Sequence, residues 1–461
     1  MNKVALATLG CKVNQYETEL MREQLEKSGF NPVSFGEKAG LYIINTCSVT
    51  EKAAQKSIEL IKKARNRSSL LVVTGCYAEA EKDRLKKMFP WIDLVVGNKE
   101  KSNIGNIING NGKNHQEKQT HIGGFNAHNR AFVKVEDGCN QFCTYCIIPY
   151  VRGKEIRSRS LSEIMREMEG LAEQGFKEIV LTGVNLGLYG TDLNPQVKLV
   201  NLLKKAECLK EKIRIRLSSL EPHLLSIELI DFIAQSAWIC PHLHLPLQSG
   251  DAEILKKMGR RYTLEGYRIL LRKVREKIPS VAITSDVMVG FPGEEESNFS
   301  NTYRFLQEMK FSRLHIFRFS PRKGTRAYSI KPRIEEKVKK ERSKLLRDLG
   351  NKLSQDFTSQ FLGKTLTVLV ENRRDPECGS LVGYTENYIR VFFQGEEKLK
   401  NRLVRVMLIE VKDGTALGEI VNTRSSTLRT RSLACHCERS EVGVSNGGAI
   451  ATWQSRFCCS G

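Results

Sequence analysis

Three short apolar runs in the first hundred residues, KVALATLGC, LYIINTC and LLVVTGC, each end in a cysteine: Cys11, Cys47 and Cys76. Each run has strand composition and is followed by a helical pattern, YETELMREQLEKSG, EKAAQKSIELIKKARN and AEAEKDRLKKMF. Strand–helix alternation of this kind predicts a parallel sheet with helices on its faces. In such a sheet the C-terminal strand ends share one edge, where ligand sites of α/β folds lie. The three cysteines should therefore converge there, each at a helix N-terminus that favours the thiolate. One cysteine so placed would read as a small buried hydrophobe; three at equivalent positions read as ligands.

With 461 residues and 40% hydrophobic content, the chain exceeds what one core supports, and two or three domains are expected. No run of about 18 apolar residues occurs, and MNKVALATLGCKVNQYETEL turns polar before a signal segment could finish, so a cytosolic protein with no membrane partner is expected. Thirteen cysteines in such a protein should be reduced, and spaced ones read as metal ligands or reactive thiols. A net charge of +21 suggests a polyanionic partner such as nucleic acid; a solubilising surface is the plainer alternative.

After the polar stretch NIINGNGKNHQEKQTHIGGFNAHN a second βα series begins. Its candidate strands are AFVKVED, EIVLTGVN, IRIRLSS, HLHLPLQS, VAITSDVMVG and RLHIFRFS, with helical patterns between most of them. Six units read as an incomplete (β/α) barrel, whose functional residues gather at the C-terminal strand ends. Directly after the first of these strands stands VEDGCNQFCTYCIIPYVRG, with Cys139, Cys143 and Cys146. Zinc sites pair Cys-x-x-Cys units or add histidine, and ferredoxin-type runs bring a fourth cysteine. Three cysteines with neither leave one position open. A 4Fe-4S cluster on three thiolates, with one iron free for a small molecule, is the consistent reading; zinc or chance remains the alternative.

That spacing is similar to the signature of radical S-adenosylmethionine enzymes. Together with LGCKVNQYE, NTCSVT, TGCYAEA and VEDGCNQFCTYCIIPYVRGKEIRSR, the chain resembles the tRNA methylthiotransferases from residue 1 to about 422. LTGVNLGLYG, RLSSLEP, LHLPLQSGD, MGRRYT and DVMVGFPGE carry the likeness onward. GCKVNQ at the first cysteine is more like the threonylcarbamoyladenosine branch, since the isopentenyladenosine branch reads closer to Gly-Cys-Gln-Met-Asn there. The resemblance implies S-adenosylmethionine and two 4Fe-4S clusters, one on Cys11, Cys47 and Cys76 serving sulfur transfer, the other on Cys139, Cys143 and Cys146 making a 5′-deoxyadenosyl radical that attacks C2 of an adenosine. It also implies an electron donor, a sulfur source and the tRNA anticodon stem-loop as partners.

Further site residues follow from the same resemblance. Tyr145 would lie by the adenine; Thr182, Gly183, Val184 and Asn185 by the methionyl amino group; Ser219 and Glu221 by the ribose or methionyl part; Gln248 at the fourth strand end with Ser249. Each could equally be an ordinary loop or cap residue. Gly290 to Glu294, VGFPGE, could be only a Pro-Gly turn, and Arg260 and Arg261 could meet substrate phosphate or solvent.

The expected organisation is α/β: a parallel domain over 1–120 binding the auxiliary cluster, a partial (β/α)6 barrel over 125–355, a basic helical linker, and a small OB-like barrel over 360–422. The family carries an RNA-binding TRAM domain there, and Tyr384, Tyr388, Arg390, Phe392 and Phe393 could stack on bases or follow the backbone, though alternate ones must fill a core. The tail 424–461 departs from the family and has no hydrophobic period. Its Cys435, His436, Cys437, Cys458 and Cys459 are poorly spaced for metal, and a disordered or aberrant extension is expected. Cys208, Cys240 and Cys378 read as structural. The expected activity is methylthiolation of N6-threonylcarbamoyladenosine beside the anticodon. The alternatives are a sister reaction on isopentenyladenosine or a ribosomal-protein aspartate, or a non-catalytic zinc-stabilised RNA-binding protein.

Overall fold

The computed structural model describes residues 3–65, 68–109, 121–125 and 129–421; the tail 424–461 lies outside them. The first sheet holds β1 (Lys3–Thr8), β2 (Asn31–Val33), β3 (Ala39–Thr46), β4 (Ser68–Gly75) and β5 (Leu94–Val95), all parallel, in the order β2-β1-β3-β4-β5. β3 is buried at every position but Gly40, as a strand covered on both faces must be. Its Leu41 and Ile43 pack with Met21 and Leu25 of α1 (Lys12–Lys27). Its Tyr42 and Ile44 turn the other way, toward Ala54 and Ile61 of α2 (Glu51–Ala64).

The second series forms six parallel strands: β6 (Ala131–Lys134), β9 (Glu178–Thr182), β10 (Arg214–Leu217), β11 (His242–His244), β12 (Ala282–Val289) and β13 (Arg313–Arg318). Between β6 and β9, β7 (Glu136–Asp137) and β8 (Arg157–Ser158) make a short antiparallel ribbon. The order runs β6-β9-β10, then by the bridges Ile215 to Ile239 and Ser219 to His244 into β11-β12-β13. Among the described residues β13 does not pair back to β6, so this is a partial barrel. Its strands lie inside the six stretches that the hydrophobic pattern marks, and its outer helices share one large core with them.

The long helix Glu336–Ser359 leads to a closed five-stranded barrel ordered β14-β15-β16-β18-β17: β14 (Thr365–Arg374), β15 (Leu381–Thr385), β16 (Arg390–Phe393), β17 (Leu403–Lys412) and β18 (Thr415–Ile420). It docks on the partial barrel through buried charge. Arg214 and Arg216 both grip Glu178, each at 2.7 Å. They also donate to the carbonyls of Thr367, Tyr384, Thr385 and Glu386 at 2.9–3.1 Å. Buried ions survive only when their remaining hydrogen-bonding groups are met in this way.

This docking changes the role of two aromatics. Tyr384 and Tyr388 stack on each other with centroids 5.1 Å apart, Arg130 lies 4.8 Å over the first and Arg216 4.5 Å over the second. They serve the contact between the barrels, where sequence reasoning expected an outward platform for RNA. Phe393 fills the small barrel's core, and Phe392 lies under Arg390 at 4.6 Å. No helix among the described residues is long and apolar enough to cross a membrane.

Candidate active site

Cys11, Cys47 and Cys76 stand directly beyond β1, β3 and β4, on one edge of the first sheet. Cys11 is exposed and caps α1; Cys47 and Cys76 are buried, the latter as first residue of α3 (Cys76–Ala80). Gly10 adopts φ +104°, and a Cβ there would lie 2.9 Å from the Cys47 Sγ, so the approach of β1 to this thiol depends on glycine. The expected bias toward thiolate fails. Burial pushes the Cys47 thiol up to about 12 and that of Cys76 up as well, although Arg152 and Lys101 pull the second the other way. Desolvation outweighs the helix ends, and the bare thiols hold their protons, which a metal would displace.

Cys139, Cys143 and Cys146 lie on the loop after β6, at the mouth of the partial barrel. The Cys139 amide donates to the Gly153 carbonyl at 3.1 Å and the Cys146 amide to that of Cys143 at 3.0 Å. Thr144 ties the loop to the barrel, donating to the Met258 carbonyl at 2.9 Å and accepting from Ala327 at 2.8 Å. Burial raises Cys139 to about 11; Cys146 is raised too, by burial and then by Cys143. In neither triplet do all the sulfurs approach within 4.8 Å of one another; among the described residues only His244, Asp286 and His315 form such a trio. Three soft thiol donors in each triplet suit an iron–sulfur cluster.

The first domain packs against the loop that carries the second triplet. Cys76 packs against Ile147 and Val151, in and beside the helical turn that follows Cys146. The Asn98 side chain donates to the Val151 carbonyl at 2.7 Å. Next in the chain, Arg152 donates to both oxygens of Glu17 on α1, at 3.1 and 3.0 Å, and lies 3.2 Å from Asp137. Lys101 at 2.5 Å and Lys134 at 2.9 Å complete the set around Glu17. Burial alone would raise the Glu17 carboxyl, but Arg152, Lys101 and Lys134 hold it well below the usual range.

The remaining candidates fall into two groups. Thr182 accepts from the Val135 amide at 2.9 Å, and after it Gly183, Val184 and Asn185 wrap the carboxylate of Glu136. The Asn185 amide donates to its Oε1 at 2.6 Å, and a Cβ on Gly183 would lie 2.1 Å from that oxygen. Oε2 of Glu136 and Nδ2 of Asn185 are buried with no protein partner, which fits a polar ligand in this cradle. Burial lifts the Glu136 carboxyl to about 8. In the second group Glu221 is bound by Arg260, whose Nη1 also lies 3.3 Å from the Cys143 Sγ; Tyr145 adjoins this pair and packs against an apolar cluster with Met258 and Phe291. Ser219 bridges to β11 and accepts from the Leu186 amide at 3.2 Å. Gln248, at φ +69°, stands apart, its backbone bonded to Asp286 and Met288 of β12.

Sequence reasoning missed Glu136, Arg152 and the real position of Arg260, which is buried where phosphate or solvent was expected; Arg261 is exposed. An acidic residue directly before a ligand triplet was the one available signal. VGFPGE is an anchor: Glu294 accepts from Gly290 at 2.9 Å and pairs with Arg342 of the long helix at 2.7 Å.

Comparison with known proteins agrees with this geometry. Residues 3–97 match uncharacterized protein family UPF0004, 133–306 the radical SAM superfamily and 359–421 the TRAM domain. Proteins named threonylcarbamoyladenosine tRNA methylthiotransferase MtaB from Bacillus subtilis (strain 168) and Thermotoga maritima are 37% and 39% identical over 432 and 419 residues, 89% and 88% of this chain and 94% of each of theirs. The chain belongs to the radical S-adenosylmethionine tRNA methylthiotransferases. A further relative, named tRNA-2-methylthio-N(6)-dimethylallyladenosine synthase, from Fusobacterium nucleatum subsp. nucleatum, is 37% identical over 439 residues, 91% of this chain and 100% of that one. The fold is shared with the radical S-adenosylmethionine methyltransferase TsrM of Kitasatospora setae at TM-score 0.52 and 17% identity, over 69% of this chain and 75% of that one. As a radical S-adenosylmethionine methylthiotransferase, the chain uses an iron–sulfur cluster and S-adenosylmethionine.

Proposed function

We propose that this methylthiotransferase adds a methylthio group to C2 of N6-threonylcarbamoyladenosine at position 37 of tRNA, with one 4Fe-4S cluster on each cysteine triplet. The observation that carries this reading is the packing of Cys76 against Ile147 and Val151. It sets one cysteine of the first triplet beside the helical turn that follows the second, which supports a substrate base shared by both. Bound there, the clusters and S-adenosylmethionine supply an electron, a 5′-deoxyadenosyl radical, sulfur and a methyl group. The chain supplies placement and exclusion of water. Glu136, with one oxygen free, suits an ammonium group in the cradle of Gly183 to Asn185; Arg260 fixes Glu221 and lends positive charge beside Cys143. On the other side Tyr16 of α1 donates to Glu167 at 3.1 Å, and α1 closes against β6 so that the N-terminal domain covers the mouth. An electron donor and a sulfur source act from outside, and the tRNA anticodon stem-loop is the partner that the basic charge suits. Mass spectrometry of tRNA nucleosides from a strain lacking the gene tests the reading: 2-methylthio-N6-threonylcarbamoyladenosine should vanish and return with the gene. Loss of the methylthiolated isopentenyl nucleoside instead would refute it.

A further inference from the structure

Barrel interiors are ordinarily filled with branched apolar side chains, and one wall of this one is not. The register sets His244 beside Thr284 and Thr284 beside Arg313, with Asp286 and His315 one rung on. The alternate residues Leu243, Ile283 and Val287 join the large core under the outer helices, and Leu314 meets Gly350 of the long helix. By the two-residue period of a strand, the polar set therefore faces the lumen. Asp286 is held between the imidazoles, 3.3 Å from His244 Nε2 and 3.1 Å from His315 Nδ1, while Thr284 Oγ1 braces His244 Nδ1 at 2.9 Å. Arg313 has no ion-pair partner among the described residues. With Thr284 it lines a recess shared with Asn387 and Tyr388 of the small barrel and Ser354 and Phe357 of the long helix.

The wall is graded. Toward the mouth the same face of β12 and β13 carries Met288 and Phe317, paired in register, and Phe317 is 36% exposed. Met288 packs with the cluster that includes Tyr145, so this end adjoins the radical triplet. From Phe317 to Arg313 the strand runs roughly 13 Å, from an apolar surface to a cationic one. An adenine whose C2 faces the cysteines and whose ring lies on Phe317 sends its N6 substituent down this gradient.

We propose that Arg313 and His315 form a subsite on the inner wall of the partial barrel that binds the carboxylate of an N6 amino-acid arm on the substrate adenosine and so selects it over adenosines with an apolar N6 group. The proposal rests on the tRNA substrate assigned above. Its force comes from an asymmetry: an apolar arm would leave the Arg313 guanidinium without a partner, and a site built to bond a polar group rejects the analogue lacking it far more strongly than an apolar pocket rejects an extra one.

The test uses reconstituted holoenzyme and two synthetic anticodon stem-loops, one carrying N6-threonylcarbamoyladenosine, the other N6-(N-isopropylcarbamoyl)adenosine, which lacks the carboxylate and hydroxyl. Methylthio product is measured by mass spectrometry, and 5′-deoxyadenosine release reports an intact radical site. Wild type should favour the first RNA by 100-fold or more in kcat/KM. Arg313→Gln should lose at least 10-fold on the first RNA, mainly in KM, and change less than threefold on the second, with Arg313→Lys recovering part of the loss. An equal loss on both RNAs would mean a phosphate contact or a structural role and would overturn the subsite, as would an unchanged first RNA or a wild type indifferent to the carboxylate. A wild type that methylthiolates an isopentenyladenosine stem-loop and not the threonylcarbamoyl one would overturn the substrate assignment, and the subsite with it.

Discussion

Replacing Arg152 by Met should loosen the N-terminal domain from the barrel before it unfolds either. Arg152 makes two charge-assisted hydrogen bonds to Glu17 and a third contact to Asp137, with its side chain 1% exposed. Breaking a buried pair by removing one partner costs about 3–5 kcal/mol, because the other charge stays buried. Glu17 keeps Lys101 and Lys134 in the variant, so the low end applies, about 3 kcal/mol. Glu17→Gln, alone and combined with Arg152→Met, completes a double-mutant cycle that should return a coupling of about 2 kcal/mol. In a protein of several domains a single unfolding midpoint mixes events, so native-state hydrogen exchange on Lys12–Lys27 is the better assay. A loss of 3 kcal/mol in local opening is a roughly 100-fold faster exchange there, while β15 and β16 of the distant small barrel should keep their protection. A coupling under about 0.5 kcal/mol, or acceleration spread evenly over the whole chain, would refute the assignment of Arg152 as the clasp between the two triplets.

Three further outcomes follow from the cysteine geometry and the described limits of the fold. Protein reconstituted without oxygen should hold about eight iron atoms, and Cys139, Cys143 and Cys146 replaced together by Ala should leave about half while abolishing 5′-deoxyadenosine; zinc in the anaerobically purified protein would contradict this. Cys47→Ala should still cleave S-adenosylmethionine under strong reductant yet give no methylthiolated tRNA, and normal product from it would remove the N-terminal cysteines from the mechanism. A chain ending at Asn422 should keep its metal, activity and melting temperature, since residues beyond it show no apolar period; loss of iron on truncation would show the tail cysteines to be ligands.

The architecture was legible because its signals are local. A strand, a cysteine and a helix in sequence fix the sheet edge; LYIINTC needs no partner in view to read as buried strand. Polar–apolar alternation such as RLHIFR could be seen too, but whether its polar face meets solvent or a lumen depends on closure of the sheet, which no short window records. What escaped was long-range charge. Arg152 meets Glu17 across 135 residues and Arg260 meets Cys143 across 117, so each looked like one more basic surface residue in a chain with 73 of them. The thiolate expectation failed for a related reason: a helix end is visible in sequence, while the burial of Cys47 that overrides it belongs to the assembled domains.

The docking of the small barrel bears on how its contribution can be measured. Deleting residues from 360 onward is the obvious way to ask what the TRAM domain adds, and it would give a confounded answer. The deletion strips four backbone carbonyls from Arg214 and Arg216 and removes Tyr388, which packs on Arg216 and His242 of the partial barrel. Such a truncated enzyme would lose turnover even on a free nucleoside that needs no RNA grip. Charge reversals at the exposed Arg405 of β17, or at Arg402 just before the strand, leave that docking whole and are the cleaner instrument.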